Sequence, residues 1–180
     1  DLTLVQLPST LTEIGEEAFA RNIKLSSITF TGQKVIGKGA FTDCPSITSL
    51  ALPNSLETIG DRAFKNNTGI TSVSFGTGLK NIESEAFYGC SALTAARMPE
   101  MLDTIKASAF ENCVKLTYVS LGSNLKSLGN RAFFNNKVLT EIEIPGTTAT
   151  IGSQAFENCT NLSLAILNNG IETIGGNCFK

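Results

Sequence analysis

The chain has 180 residues, of which 42% are hydrophobic and 17% charged, so it can bury a core and is not typical of a disordered segment. Its net charge of −2 comes without a run of Lys or Arg, which argues against a nucleic-acid-binding surface. Apolar stretches stay far below the roughly 18 residues of a membrane helix, and five cysteines without a CxxC pair or any histidine argue against zinc.

A phenylalanine returns at a near-constant interval along the chain. Alanine precedes it in every copy except the last, where Cys178 stands before it. The spacing is 22 residues once and 23 residues six times. The phenylalanines are Phe19, Phe41, Phe64, Phe87, Phe110, Phe133, Phe156 and Phe179. Sequence periodicity of this length predicts an array of stacked structural repeats.

Each repeat begins with a predicted strand. The opening residues Leu2, Val5 and Leu7 fit the end of one copy of this strand. In the later copies, apolar residues stand six, nine and eleven positions after the phenylalanine, as in Ile47–Pro53. The last two of these positions alternate with polar ones, which is typical of a β-strand with one buried face. A proline or glycine then follows and ends the strand.

A second, shorter apolar element leads into a glycine and a tight turn. Leu56 and Ile59 form this element in one copy, and Gly60 follows them. The same glycine recurs at Gly15, Gly37, Gly129, Gly152 and Gly175. Either a positive φ or a close approach to a neighbouring backbone would explain it. The segment around the phenylalanine is too short for a stable helix, so we expect a turn or a 3₁₀ segment there.

One such unit cannot bury its apolar face alone, but stacked copies cover one another and share a continuous core. We therefore predict a mainly β repeat protein: one right-handed solenoid over residues 1–180, with about eight turns of 23 residues. Short strands of successive turns pair in parallel on one face. Turns or 3₁₀ segments and short second strands make up the rest.

The unit LxxLxLP, a loop, then LxxIGxxAFxxC/N resembles the leucine-rich repeats of the BspA-like family. The resemblance covers the whole chain, with Glu83 and Lys106 in place of the glycine and Cys178 in place of the alanine. It implies a right-handed leucine-rich-repeat solenoid whose concave face is lined by the parallel strands. Members of the family are often described as adhesins or host-interaction proteins of bacterial and protist surfaces. The resemblance thus implies a cell-surface or secreted location.

Asparagine or cysteine stands three residues after each of the first seven phenylalanines. The column consists of Asn22, Cys44, Asn67, Cys90, Cys113, Asn136 and Cys159. Redox chemistry or a disulfide is one interpretation, and Cys90 and Cys113 are the only pair in adjacent turns of the column. Stacked side chains point the same way, however, and no histidine is present to activate a thiolate. We expect a buried ladder that satisfies backbone groups of the turns.

Glu141 and Glu143 alternate on one predicted strand, about 7 Å apart on one face. This separation falls within the range of inverting glycosidases, which also need a cleft around the two carboxyl groups. An exposed solenoid strand provides no obvious cleft, so we interpret the pair as solvated acids. No enzymatic activity, cofactor or metal site is predicted.

Positions eight and ten after the phenylalanine should point outward on the concave face. In the first turns they hold small side chains such as Ser49, Ala51 and Ser72. In the later turns the chemistry changes, and these residues form the candidate partner-binding site: Arg97, Tyr118, Glu141, Glu143, Leu164 and Ile166. Arg and Tyr are favoured at binding hot spots, and exposed aliphatic residues indicate an apolar patch. Drifted surface residues, or contacts within a longer parent protein, are the alternative explanation.

The sequence favours a binding or adhesion module that contacts a protein or a glycan, such as host matrix or a cell surface. The alternative is a structural spacer or an intracellular scaffold repeat without a ligand. Both ends fall inside repeats without polar caps, so we expect an excerpt of a longer array whose neighbouring repeats cover the ends. Glycosylation sequons at Asn66, Asn158 and Asn161 would matter only in a secreted eukaryotic protein.

Overall fold

A computed structural model describes residues 2–180 and leaves Asp1, the first residue of the predicted solenoid, outside the description. Each turn of the chain carries one longer and one two-residue strand. The longer strands are β1 (Leu4–Gln6), β3 (Ser27–Thr29), β5 (Ser49–Ala51), β7 (Ser72–Ser74), β9 (Ala95–Arg97), β11 (Tyr118–Ser120), β13 (Glu141–Ile144) and β15 (Leu164–Leu167). No helix occurs in residues 2–180, so none is present there that could span a membrane.

The two-residue strands form one continuous parallel sheet along the stack. They are β2 (Glu13–Ile14), β4 (Val35–Ile36), β6 (Thr58–Ile59), β8 (Asn81–Ile82), β10 (Thr104–Ile105), β12 (Ser127–Leu128), β14 (Thr150–Ile151) and β16 (Thr173–Ile174). Their spatial order follows the order of the chain, and each isoleucine or leucine lies opposite its counterpart in the next turn. The predicted parallel pairing of successive turns is confirmed.

The longer strands pair only in twos: β1 with β3, β5 with β7, β9 with β11, and β13 with β15. A proline directly follows the last inward-facing apolar residue of the first strand in every pair. These are Pro8, Pro53, Pro99 and Pro145. Where the equivalent residue is Asn168, its N–H donates to the Ile144 carbonyl of the preceding turn, at 3.2 Å. Proline has no N–H and cannot make this bond. Within residues 2–180, however, Gly76 and Gly122 do not make it either, so the breaks before Pro53, Pro99 and Pro145 coincide with a proline but do not follow from this bond alone.

The phenylalanines form a stacked column through the core. Successive rings from Phe19 to Phe179 lie 5.2–5.5 Å apart between centroids, with interplanar angles of 15° or less. The six rings from Phe41 to Phe156 are fully buried. Aliphatic residues from both kinds of strand pack around this column. Burial of such side chains contributes about 1.5–3 kcal/mol each, so the column supplies much of the stability.

The phenylalanine turns add another row of hydrogen bonds between turns. The Phe41 N–H donates to the Ala63 carbonyl of the next turn at 2.8 Å, and the Gly39 and Asp43 N–H groups make similar bonds at 2.7 and 2.9 Å. These segments are hydrogen-bonded turns rather than helices, which confirms the turn prediction. Each turn is therefore tied to the next on its phenylalanine side as well as through its strands.

The residues two before and two after the phenylalanine adopt the left-handed backbone conformation. Thirteen non-glycine residues have a φ of 52–62°, among them Arg62 and Asn66 on either side of Phe64. The periodic pattern of apolar residues did not predict these positive φ angles. The signal was the column two after the phenylalanine, which is mostly Asn, Asp or Gly: Asp43, Asn66, Gly89, Asn112, Asn135 and Asn158. These residue types tolerate positive φ best.

The recurring glycine is explained by close approach and not by backbone conformation. A Cβ atom on Gly60 would lie 2.7 Å from the Ile36 carbonyl oxygen and 2.8 Å from the Gly37 carbonyl carbon. Among the described glycines, positive φ occurs at three others and not at Gly60. Of the two explanations given for the recurring glycine, the positive φ is therefore wrong for Gly60. Contacts below 3 Å leave no room for a methyl group. Gly15, in the first complete turn, has no atom within 4 Å of such a Cβ.

We predict that Gly60→Ala destabilises the protein by about 1–3 kcal/mol, because the added methyl group overpacks a rigid backbone contact. Gly15→Ala is the matched control, and it should be neutral or slightly stabilising since it meets no neighbour and reduces the entropy of the unfolded chain. Urea unfolding followed by circular dichroism compares the two. Equal midpoints for both variants would contradict the close-approach explanation.

Candidate functional site on the concave face

The six candidate residues all lie on the exposed side of the longer strands. Arg97 ends β9, Tyr118 begins β11, and the other four alternate along β13 and β15. All six side chains are exposed, with 40% for Tyr118, 47% for Leu164 and 43% for Ile166. Between them, Ile142 is buried. The predicted outward orientation is present, while the role in binding stays a prediction.

The structure brings five of these six residues together around one groove of about 590 Å³. Strands β11, β13 and β15 form its floor, and the loops that follow β9 and the same three strands form one end. The lining residues used below are Glu100, Tyr118, Glu141, Glu143, Leu164 and Ile166. Arg97 lies outside the lining, but its guanidinium carbon sits 4.9 Å from the centroid of the Tyr118 ring. It therefore supports the edge of the groove.

The groove spans one of the three breaks in the ladder of longer strands, the break between β11 and β13. In most other turns the residue before the longer strand is bonded to its counterpart in the preceding turn, as when the Thr117 N–H and hydroxyl donate to the Thr94 carbonyl at 2.9 and 3.0 Å. Thr48 is an exception, because it makes no such bond to Ser26 within residues 2–180. Ser163 makes the same two bonds to Thr140. Within residues 2–180, no such bond joins Thr140 to Thr117. This opening coincides with the ladder break before Pro145.

The lining of the groove carries negative charge. Three carboxylates line it, from Glu100, Glu141 and Glu143, and no Lys or Arg of the described chain does so. Glu143 accepts a hydrogen bond of 2.9 Å from the Asn168 amide. Glu100 accepts bonds from the Ser123 hydroxyl and backbone N–H, and these hold the pKa of the Glu100 carboxyl below its ordinary value. Glu100 is therefore ionised at neutral pH.

Glu141 and Glu143 share one face of β13, as predicted, and both are exposed on the wall of the groove. The glycosidase alternative required a cleft beside this pair. The groove supplies a cavity there, but neither carboxylate is enclosed within it. Both acids are therefore open to solvent along the groove.

The asparagine and cysteine column is the predicted buried ladder. Its side chains donate to the carbonyl oxygen of the phenylalanine in the preceding turn. Asn67 does so to Phe41 at 2.7 Å, and Cys90 does so to Phe64 at 3.3 Å. Cys44, Cys113, Asn136 and Cys159 repeat the bond. Asn22 instead bonds the carbonyl of its own turn's Phe19, at 3.0 Å.

Burial raises the pKa of all five cysteine thiols. All five cysteines are buried and none forms a disulfide in residues 2–180. Desolvation raises the pKa of the Cys90 thiol to about 12 and that of Cys159 to about 11. Thiolate is the reactive form, so these groups suit packing and hydrogen bonding rather than redox chemistry. No cluster of possible metal ligands occurs among the described residues.

Comparison with known proteins agrees with this architecture. A family profile described as the BspA type leucine-rich repeat region matches residues 1–113 and 80–180, in six copies. No curated protein gives a significant match to the chain.

Several solved structures are similar to the chain. A leucine-rich cell surface protein of Faecalibacterium prausnitzii is 26% identical, with a TM-score of 0.82 over 94% of this chain and 48% of its own. A leucine-rich repeat protein of Eubacterium ventriosum is 30% identical, with a TM-score of 0.79 over 88% of this chain and 43% of its own. The pneumococcal vaccine antigen PcpA is 21% identical, with a TM-score of 0.55 over 97% of this chain and 54% of its own. The chain thus spans about half the length of these proteins, and the predicted right-handed leucine-rich-repeat fold is confirmed.

We predict that Asn67→Cys stabilises the protein by about 1 kcal/mol, because it keeps the donor to Phe41 and removes a buried acceptor. The Asn67 Oδ1 atom is buried without a hydrogen-bond partner among residues 2–180. Asn67→Ala loses the donor as well and should be less stable than Asn67→Cys. Thermal melting under reducing conditions measures both. A cysteine variant no more stable than the alanine variant would contradict this account.

We also predict that Cys90 resists alkylation by iodoacetamide in the folded protein at about pH 8.5, where ordinary thiols react. A rise of the pKa from 9.0 to about 12 lowers the thiolate fraction about 1,000-fold. Mass spectrometry of digested samples reports the modification, with guanidinium-unfolded protein as the positive control. Rapid modification of Cys90 without unfolding would show that the thiol is accessible.

Proposed function

Because this chain belongs to the BspA-type leucine-rich repeat family, we propose that it is a non-enzymatic binding module of a cell-surface or secreted protein. In this proposal the concave face contacts a protein or glycan partner through Arg97, Tyr118, Glu141, Glu143, Leu164 and Ile166. Extended arrays of stacked turns present such faces for recognition in many repeat proteins.

The groove is the observation that carries the proposal. Tyr118, Leu164 and Ile166 expose apolar surface along the groove, and a partner that covered this surface would gain free energy from its burial. Tyr118 is also held in place by the stacked Arg97, which reduces the entropy lost when a partner binds. Concave sites of roughly 300–1,000 Å³ with a few polar groups are typical of ligand binding.

The similar structures support a surface location. The Faecalibacterium prausnitzii protein is described as a cell surface protein, and PcpA is described as a vaccine antigen. A surface protein meets matrix proteins and glycans of its surroundings, which are the partners that we propose. A spacer or scaffold role remains the competing function, and it would require no partner on this face.

We predict that the variant carrying Arg97→Ser, Tyr118→Ser and Leu164→Ser loses binding to the partner by about tenfold or more, since aromatic and aliphatic anchors dominate interfaces. The probes are immobilised extracellular matrix proteins and glycans, with affinity measured by surface plasmon resonance. Leu4→Ser is the matched control, because Leu4 is 51% exposed on β1 of the same face and lies outside the groove.

The outcomes separate the competing functions. Equal binding by the wild type and the triple variant would move the site away from the concave face. Binding of no probe by either protein would favour the spacer. Glycan probes are also recovered and analysed for cleavage. Hydrolysis by the wild type that Glu141→Gln or Glu143→Gln abolishes would overturn the non-enzymatic part of the proposal.

A further inference from the structure

We propose that the groove binds an extended polypeptide segment with Lys or Arg at alternate positions. This inference rests on the proposed function and names the chemistry of the partner at the same site. It follows from how β13 and β15 place their side chains, from the sign of the charge, and from the spacing of the two acids.

An acidic and an aliphatic side chain lie side by side at two successive levels of the groove. Glu141 is paired with Leu164, and Glu143 with Ile166, in the parallel register of β13 and β15. A lysine or arginine has the matching shape, with an apolar stem and a cationic head. Its stem can cover the aliphatic residue of one strand while its head reaches the carboxylate of the other. An acidic ligand would be repelled by the two carboxylates. A purely apolar ligand would cover Leu164 and Ile166 but leave both carboxylates without a partner of opposite charge.

The spacing of the two levels fits an extended chain. Alternate residues of a strand are about 7 Å apart on one face, which separates Glu141 from Glu143. Alternate side chains of an extended peptide have the same separation, so two basic residues in an i, i+2 relation would meet both levels at once. Two adjacent basic residues would point to opposite sides of the peptide, and only one could contact the groove.

Charge favours a polypeptide over a glycan. The lining holds three carboxylates and no cation among the described residues. The charged glycans of cell surfaces carry sulfate or carboxylate groups, which these acids would repel. Neutral glycans offer hydroxyl groups but no partner for the negative charge. Tyr118 also lines the groove, but its ring already carries the Arg97 guanidinium, so it offers aromatic surface rather than a further cation site.

The test uses fluorescent peptides of about eight residues, long enough to cross the groove in an extended form. One peptide, the alternating peptide, carries two Lys residues separated by one Ser, with Ser at all other positions. A second has the same composition with its two Lys residues adjacent, and a third has Glu in place of both Lys residues of the alternating peptide. Fluorescence anisotropy gives their affinities for the whole chain at roughly 0.05 M and 0.3 M salt. The alternating peptide should bind about fivefold more tightly than the adjacent one, and more weakly at high salt, while the Glu peptide should not bind.

Matched variants locate the binding. Glu141→Gln combined with Glu143→Gln should weaken binding about tenfold and remove most of its salt dependence. Leu164→Ser combined with Ile166→Ser should weaken it about threefold to tenfold at both salt concentrations. Glu13→Gln, an exposed acid on β2, is the control and should change nothing. Circular dichroism verifies that each variant is folded.

Three results would overturn the inference: no preference for the alternating over the Glu peptide, equal binding by the Gln double variant, or equal loss with Glu13→Gln. The proposed binding function and the basic-peptide inference are tested by different experiments, so one can be rejected without the other. Matrix or glycan binding that the triple variant loses, together with peptides that do not bind, would keep the binding module and reject the basic peptide. Failure of both experiments would reject both.

Discussion

The distance between successive turns is the constraint on which the whole molecule depends. Backbone hydrogen bonds on the strands and at the phenylalanine turns hold neighbours together, and the stacked rings adopt a spacing of 5.2–5.5 Å. At this distance Gly60 has no room for a side chain against Ile36 and Gly37. The near-constant repeat length, the recurring glycine after the two-residue strand and the left-handed turn residues are all compatible with this short distance. Each of them allows one turn to pack directly against the next.

The candidate site lies at one of the places where this stacking is relaxed. The turns containing β11 and β13 lack the bond between Thr117 and Thr140 within the described chain, and Pro145 cannot donate to the turn before it. The exposed side chains of Tyr118, Glu141 and Leu164 border the opening that results. The scaffold and the candidate site are thus built from the same repeat. The turns of the site differ from most of the others in their exposed side chains and in the hydrogen bonds that they lack.

Most of the scaffold could be predicted from the sequence, because periodic residues report on identical neighbours. The strands, the buried phenylalanines, the cysteine and asparagine ladder and the outward positions all follow from one repeating pattern. The pairing of longer strands in twos could not be predicted, because a proline follows the first strand of each pair but turns without proline also lack the equivalent bond. The groove could not be predicted either, because it depends on how the turns containing β11 and β13 pack against each other. The left-handed residues had a signal in the column of Asn66 and Asn112, but it was not recognised.

The two sides of the stack also differ in stiffness. On the side of the two-residue strands, one ladder from β2 to β16 runs without interruption, so that side resists a change in length. On the opposite side, three breaks separate four rigid two-turn blocks. If the stack bends, we therefore expect the distance between turns to change at the breaks on the concave side. The side of the two-residue strands keeps its length. A change in curvature would therefore alter the spacing at the breaks and leave the paired strands within each block unchanged.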